Sequence, residues 1–266
     1  MVRGLYTAAA GALVAQANVD VIANNLANVN TTGFKRTLLQ IESTPKTELF
    51  RDQTDPGRVP NARTPGVPSQ VPIGALGFGS RIYDTPAIFE QGPIQQTGNK
   101  LDVALAGPGF FAIRDGLTGG VRYTRDGSFV KNAQGGLVTT NGDAVLGANG
   151  AQMTVQQQGE VAIDAAGNVT SNGAPAGQLA VFEFRNLTAL RPQGANRFID
   201  VGAIPQAATK TTVIQGAQEK SNGDVVRSMV DLISNERWFD ANEKMIQTQD
   251  DATGIAITTL GKTSGN

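Results

Sequence analysis

The chain has 266 residues, enough for one large domain or two modest ones, with 22 Lys and Arg against 23 Asp and Glu. The resulting net charge of −1 gives no reason to expect nucleic acid or an anionic membrane as a partner. Cysteine and histidine are absent, which excludes disulfides, thiolate and Ser-His-Asp catalysis and most zinc sites. We therefore expect no cofactor and no metal.

Membrane insertion is not expected either, because no run approaches the ~20 consecutive apolar residues of a spanning helix. The 32 glycines and the low charged fraction of 17% are typical of a β-rich protein with many turns.

The N-terminal region predicts one helix, Leu5–Val29. Its apolar residues fall on two seven-residue registers, which are Leu5, Ala12, Val19 and Leu26, and Ala8, Ala15, Ile22 and Val29. The segment Ala15–Ala17 has the small-x-small form of a signal cleavage site, but the heptads run straight through it. We expect the N-terminus to be retained.

The stretch 23–36, which reads ANNLANVNTTGFKR, is expected to end this helix. Gly33 can adopt the positive φ of a helix C-cap, and Phe34 is expected to anchor the chain that follows. Lys35 and Arg36 lie where cations favour a helix C-terminus. The amides of this stretch are weak helix formers and suggest specific contacts; they are Asn24, Asn25 and Asn28.

The middle of the chain divides into a proline-rich segment and a region with the pattern of β-strands. Six prolines between residues 45 and 79 predict an extended or irregular segment. From Ser80 to about Ile214, alternating apolar residues and turn dipeptides predict short antiparallel strands. The turn dipeptides are Asp115-Gly116, Asp126-Gly127, Asn141-Gly142, Asn149-Gly150 and Asn172-Gly173. We expect Phe110 and Phe111 to point into a core.

The C-terminal region predicts a second helix with Asn222 as its N-cap. One seven-residue register carries Val225, Leu232, Phe239, Ile246 and Leu260, and Trp238 lies on the adjacent edge. The other seam position is polar, with Asn235, Asn242 and Gln249. Polar seam residues of this kind fix the register of a coiled coil at some cost in stability.

The function predicted from these features is structural. Catalysis would depend on carboxylates, of which the candidates are Asp102, Asp126, Glu160 and Asp164. A two-carboxylate glycosidase is conceivable. However, Asp126 belongs to a turn dipeptide, Asp102 is expected to face outward, and the other two have no identifiable partner. We predict that the chain is not an enzyme.

Two classes of protein remain. If the terminal helices pack as a coiled coil with the β-domain outside, head-to-tail contacts that do not close would build an open helical filament. The alternative is a secreted β-rich adhesin or carbohydrate-binding module, which would be a stable monomer with a removable N-terminus.

Four stretches carry a resemblance to a known family: 23–36, Gly98–Ile113, Tyr123–Gly147 and Ser228–Asp251. They resemble the flagellar rod and hook proteins, the axial family of the bacterial basal body. The resemblance implies an α+β fold whose terminal helices form a coiled coil around an export channel. It divides the chain into an N-terminal helix (1–36), a Pro/Gly-rich linker (37–79), a β-domain (80–214) and a C-terminal helix (215–266).

The resemblance also implies a location and partners. The location is the periplasmic rod of the basal body, where the subunits would form a hollow tube that transmits torque. The partners are copies of the chain, other rod and hook proteins, and the flagellar type III export apparatus, which would export the chain without a cleaved signal. The expected assembly contacts are Leu5, Val19, Ile22, Asn24, Asn25, Leu26, Asn28, Val29, Gly33, Phe34, Val225, Leu232, Trp238, Phe239, Asn242 and Ile246.

Overall fold

The computed structural model describes residues 2–44, 47–52, 70–77 and 79–263. Helix α1 spans Val2–Ala27 and helix α2 spans Val225–Thr263, with strands between them. This order confirms the predicted α+β class, with a helix at each end of a β-rich centre. The chain divides into two compact units, which we describe separately.

The first unit, called the helical unit, contains Met1–Val19, Leu39–Asp84 and Ile233–Asn266. Its strands are β1 (Gln40–Ser43), β2 (Thr47–Asp52), β3 (Gln70–Leu76) and β4 (Ser80–Asp84). β1 pairs with β4 and β2 with β3, both antiparallel. The segment expected to be irregular thus carries strands, and Pro72 is accommodated next to a shift in the β2–β3 register. Residues 53–69, which hold most of the predicted linker's prolines, lie outside the described part.

The second unit, called the β unit, contains Asp20–Leu38 and Thr85–Leu232. Its first strands are β5 (Ile94–Gln96), β6 (Val103–Ala106), β7 (Phe110–Arg114), β8 (Val121–Thr124), β9 (Phe129–Lys131), β10 (Leu137–Thr139), β11 (Ala144–Val145) and β12 (Val161–Ile163). The others are β13 (Asn168–Ser171), β14 (Ala174–Gln178), β15 (Val181–Phe184), β16 (Leu190–Pro192), β17 (Arg197–Asp200), β18 (Pro205–Ala207), β19 (Thr212–Gln215) and β20 (Ala217–Glu219).

The largest sheet of the β unit is antiparallel and runs β16-β17-β8-β7-β11-β10-β9, with β15 also on β7 and β18 on β15. A second sheet has the order β12-β13-β14, and β19 pairs with β6 and β20 with β5. The last two pairs connect the end of the β region to its beginning, so the segment leading into α2 is held by backbone hydrogen bonds.

Strand β7 divides the apolar interior into two cores. Phe111 and Ile113 pack with Leu105 and Phe129 on one side of the sheet, while Phe110 packs with aromatic rings on the other. The side chains of a strand alternate between its faces, so consecutive phenylalanines cannot share a core. The prediction that Phe110 and Phe111 enter a single core is therefore corrected to two.

Of two predicted turn dipeptides, one is confirmed as a hairpin turn and the other is not. Asn172 and Gly173 have φ of 53° and 78° and close the β13–β14 hairpin, as the two positive φ values of a type I′ turn require. The prediction for Asp126-Gly127 is wrong. Gly127 forms no hairpin turn but lies so close to Val103 that an added Cβ would come within 1.7 Å of the Val103 carbonyl oxygen.

Helix α1 bears on the expectation about membrane spans. The segment Gly4–Ala27 passes the length and hydropathy test for a spanning helix, with a mean hydropathy of 1.3, although it has no long run of large apolar residues. Its many alanines raise the average without forming such a run. Core helices and signal sequences pass the same test, so the finding alone assigns no membrane role.

Candidate assembly site

Helix α1 ends at Ala27, two residues before the predicted end, and a turn leads to Gly33. Gly33 has φ of +67°, as its predicted capping role requires. A Cβ at this position would lie 2.4 Å from the backbone nitrogen of Asp126. Glycine is therefore needed for two reasons, because the backbone is left-handed here and because it touches the backbone of Asp126.

Lys35 is buried beneath this turn and does not serve the helix C-terminus, which corrects the prediction for it. Its Nζ lies 2.6 Å from Glu219 Oε1, and both side chains are 0% exposed. Arg125 Nη1 lies 3.2 Å from Glu219 Oε2, and the Arg125 guanidinium stacks 4.8 Å over the ring of Phe110. Burial lowers the pKa of Lys35 and of Arg125, although the Glu219 carboxylate opposes this shift for both cations.

Backbone groups complete this buried cluster. Lys35 Nζ donates to the Glu90 carbonyl oxygen at 2.7 Å, and Gly92 N donates to Glu219 Oε1 at 2.8 Å. Gly33 N donates to the backbone carbonyl of Glu219 at 2.8 Å. Because a buried charge is tolerated only when it is paired and hydrogen-bonded, the ion cluster requires all of these segments to meet in one arrangement.

Two asparagines near the cluster bind backbone groups through their side-chain amides. Asn25 Oδ1 accepts from Thr37 N at 2.9 Å, and its Nδ2 donates to Thr37 O at 2.8 Å. Asn222 Oδ1 accepts from Arg36 N at 2.8 Å, and its Nδ2 donates to the Ile88 carbonyl. Asn222 is therefore not the N-cap of α2. Asp224 has that role, because its Oδ1 accepts from Arg227 N at 3.0 Å.

We call this set of contacts the junction. It joins the chain leaving α1, the segment 88–92, the start of the segment 125–128 and the segment leading into α2. Its members are Asn25, Gly33, Lys35, Arg125, Glu219 and Asn222.

A cavity of about 500 Å³ lies beside the junction within the β unit. Asn24, Asn28 and Phe34 line one part of it, and Asn196 and Arg197 line another. Asn196 Nδ2 donates to the Thr32 carbonyl at 2.7 Å, which ties the two parts together. The turn 194–196 has three consecutive positive φ values, two of them at non-glycine residues, so the backbone is strained where it meets the cavity.

The predicted assembly residues differ in exposure. Ile22, Asn25 and Gly33 are buried. The half-buried ones are Val19, Leu26, Asn28, Val29, Phe34, Leu232, Phe239, Asn242 and Ile246, and the exposed ones are Leu5, Asn24, Val225 and Trp238. On α2, between Ile233 and Thr259, the half-buried positions are spaced by three and four residues, as one face of a helix requires. They are Asn235, Phe239, Asn242, Ile246, Gln249, Thr253 and Ala256.

The carboxylates considered for catalysis lie apart in structural roles. Asp102 is buried, not outward-facing as expected, and accepts from the Thr97 hydroxyl at 2.6 Å. Asp126 accepts from the Thr32 hydroxyl, Glu160 pairs with Lys100, and Asp164 accepts from Asn168. Within the described ranges, no three acidic side chains meet in a way that could hold a metal ion.

Sequence reasoning missed the ion cluster. Lys35, Arg125 and Glu219 lie far apart along the chain, and no spacing relates them. The one local signal is that Glu219 alternates with Ala217 on the buried face of β20, but a three-residue strand is too short to be recognised from its pattern.

Three family descriptions match the chain. They are "Flagella basal body rod protein" over residues 5–35, "Flagellar hook protein FlgE/F/G D1 domain" over residues 104–171, and "Flagellar basal body rod FlgEFG protein C-terminal" over residues 214–259. The first ends on Lys35 and the third includes Glu219, so the ion pair joins two of the matched regions.

Similar proteins match over almost their whole length. The flagellar basal-body rod protein FlgG of Agrobacterium fabrum is 35% identical, over 97% of this chain and 99% of the relative. FlgG of Borreliella burgdorferi is 34% identical, over 96% and 98%, and FlgF of Caulobacter vibrioides is 30% identical, over 98% and 99%. These names give no support to the adhesin or carbohydrate-binding alternative.

Proposed function

Because this chain belongs to the family of flagellar basal-body rod proteins and is a structural subunit of the flagellar rod, we propose that it polymerises through α1 and α2 into a hollow helical tube. The tube transmits torque and encloses the export channel. The subunit meets copies of itself and neighbouring rod and hook proteins along its helices. This family is structural, and we assign the chain no catalytic role.

The observation that carries this proposal is the exposure of large apolar side chains along both helices. These are Leu5, Tyr6, Leu13, Val225, Val226, Met229, Val230, Ile233, Trp238, Met245, Ile255 and Ile257. Val226, Met229, Val230 and Ile233 follow the i, i+3, i+4, i+7 pattern of one helix face. A contiguous exposed apolar surface of this kind marks an interaction site, and in a rod subunit the occupant is a second copy.

The junction also supports the proposal, because it fixes the chain next to both helices. It fixes the chain where it leaves α1 and where it enters α2, using contacts within the β unit alone. A subunit that transmits torque needs such fixed points. The junction thus holds the end of α1 and the entry to α2 on the β unit.

We further propose that α1 and α2 pair as an antiparallel coiled coil. In the helical unit Asn18 Nδ2 donates to Asn235 Oδ1 at 2.6 Å, and Gly11 lies against Asn242.

The pairing of α1 with α2 requires that α1 be present in the mature subunit. We therefore propose that it is not cleaved and that the chain leaves the cytoplasm through the flagellar export apparatus. The intact mass of the protein recovered from basal bodies tests this, and a start near Asn18 would contradict it.

The main experiment replaces exposed helix residues, so that the subunit itself still folds. Leu13→Glu and Val230→Glu place charges at positions that are 65% and 57% exposed. Both variants are expected to match the parent in thermal unfolding and to abolish rod recovery and motility in cells that lack the native gene. Leu117→Glu is the matched control, at a 93% exposed position of a loop in the β unit. Normal motility with both helix variants would contradict polymerisation through these helices.

A further inference from the structure

Three pairs of small or amide residues recur along the contact between α1 and α2 in the helical unit. A Cβ at Gly4 would lie 3.1 Å from Gln249 Cδ, and a Cβ at Gly11 would lie 2.7 Å from Asn242 Oδ1. Asn18 bonds directly to Asn235. Each step of seven residues forward along α1 is matched by seven residues backward along α2, so the helices are antiparallel and in a single register.

The chemistry of the three pairs changes along the contact. Two amides lie against glycines, whose missing side chains provide the volume that the amides fill. Asn242 Nδ2 turns back to the Trp238 carbonyl of its own helix at 2.8 Å, and Gln249 Oε1 is buried without a hydrogen-bond partner among the described residues. Of these three pairs, Asn18–Asn235 is the one for which the described residues show a hydrogen bond between the helices, from Asn18 Nδ2 to Asn235 Oδ1. The polar atoms are therefore tolerated for a reason other than stability.

We propose that these three pairs, the amide ladder, select one register of α1 on α2 and so fix the surface that each subunit offers to the next copy. This inference rests on the proposed function, since it specifies which outer surface a second copy meets. The axial positions of Tyr6 and Leu13 relative to Trp238 and Met245 depend directly on the register of the helices. A slide of seven residues would shift them by about 10 Å.

Sliding the helices by one heptad loses part of the ladder in either direction. One slide sets Gly4 against Ala256, which leaves a void between two small residues, although Gly11 then faces Gln249 and Asn18 faces Asn242. The opposite slide moves Gln249 beyond Gly4 and replaces the Asn18–Asn235 pair by Asn18–Ser228, so only the observed register keeps all three pairs. Between the pairs, α1 carries Ala8 and Ala15, whose small side chains offer little resistance to a slide.

The absence of cysteine makes a disulfide test direct, because any thiol is an introduced one. Gly11→Cys is combined with Asn242→Cys for the observed register, and with Gln249→Cys or Asn235→Cys for the two slides. A disulfide needs Cα atoms within about 7 Å, while each slide displaces them by about 10 Å. We expect a bridge within one chain for the first combination, at least tenfold more than for the others, on purified full-length protein at low concentration.

The combinations with Asn242→Cys and with Gln249→Cys are then placed on a chain carrying Asn18→Leu and Asn235→Leu, which removes the ladder's hydrogen bond but keeps the seam apolar. A bridge to residue 249 is expected to appear there. Equal bridging in all three parent combinations, bridges only between chains, no bridge at all, or unchanged selectivity in the leucine background would each overturn the proposal. These outcomes are read on single chains, so they are independent of whether Leu13→Glu or Val230→Glu blocks rod assembly.

Discussion

Lys35 and Glu219 lie 184 residues apart in the sequence and form an ion pair in which neither side chain is exposed to solvent. Lys35 belongs to the segment that leaves α1, and Glu219 belongs to the segment that leads into α2. Arg125 shares the same carboxylate from within the β unit. A buried ion pair of this kind specifies an arrangement more than it adds net stability. In a rod subunit, that arrangement sets the path of the chain where it leaves α1 and where it enters α2.

Removing the shared carboxylate is expected to be severely destabilising. Glu219→Gln leaves Lys35 and Arg125 buried without their anion, and breaking a buried pair from one side costs about 3–5 kcal/mol. Urea unfolding followed by circular dichroism measures this as a lower transition midpoint. Glu160→Gln is the control, because Glu160 pairs with Lys100 on an exposed surface, and it should leave the midpoint unchanged. A Glu219→Gln variant as stable as the parent would show that the ion cluster is dispensable.

Comparing Gly33→Ala with Gly119→Ala separates the cost of left-handed backbone strain from the cost of a steric clash with a neighbouring backbone. Gly119 has nearly the same φ, +70° against +67° at Gly33, but a Cβ there would meet nothing within 4 Å. Gly119→Ala should therefore cost only the left-handed strain, about 1–2 kcal/mol. Gly33→Ala should cost clearly more, because its Cβ would collide with the backbone of Asp126, which cannot move aside as a side chain can. Equal losses in thermal stability would mean that the contact between residue 33 and the Asp126 backbone relaxes freely.

The sequence predicts the features that depend on residues close together in the chain, and it misses those that depend on distant residues. Seven-residue spacing locates both helices, since the pattern repeats within each element; it also marks Asn242 and Gln249 as seam residues. Paired positive φ at Asn172-Gly173 is likewise local. The burial of Lys35 is not predictable in this way, because its partner comes from the far end of the chain and a lysine near a helix C-terminus is well explained without it.

Asp102 and Asp126 illustrate the same limit at shorter range. Strict alternation places Asp102 on the outer face of a strand, yet it is buried and bonded to Thr97 in the preceding loop. Asp126 resembles a turn residue, but Gly127 is required for its close contact with Val103. In both cases tertiary contacts override a local pattern that is itself correctly identified.

Acid should weaken the β unit through Asp115, whose carboxylate accepts hydrogen bonds from Leu117 N at 3.0 Å and the Thr118 hydroxyl at 2.8 Å. These bonds, with the nearby Arg197 guanidinium, hold the pKa of Asp115 below its ordinary value. Since the folded-state pKa is lowered, the stability that Asp115 contributes is present above the unfolded-state pKa of about 3.9 and is lost as pH falls through the folded-state pKa.

The measurement compares the parent with Asp115→Asn in urea unfolding at pH values between 7 and 2.5. The variant is expected to be less stable at pH 7, because an amide cannot make the same charge-assisted contacts. The difference should shrink as pH falls and should be smallest at the acid end. A difference that stays constant across this range would show that the Asp115 charge does not contribute.

Asn25 and Asn24 are neighbours in the sequence with opposite expected roles. Asn25 pairs with both backbone groups of Thr37 and is buried, so Asn25→Ala leaves a buried N–H and C=O without partners, a loss of about 1–3 kcal/mol per group. Asn24 is exposed and lines the cavity beside the junction. Asn24→Ala should therefore leave the unfolding midpoint unchanged.

Assembly distinguishes the two variants further. If the cavity beside the junction receives part of a neighbouring subunit, Asn24→Ala lowers rod recovery in complemented cells although the isolated protein is as stable as the parent. Asn25→Ala lowers both stability and recovery, because its defect lies within the subunit. Full recovery with Asn24→Ala would remove this cavity from the subunit contacts, and a loss of monomer stability in that variant would assign Asn24 to the junction itself.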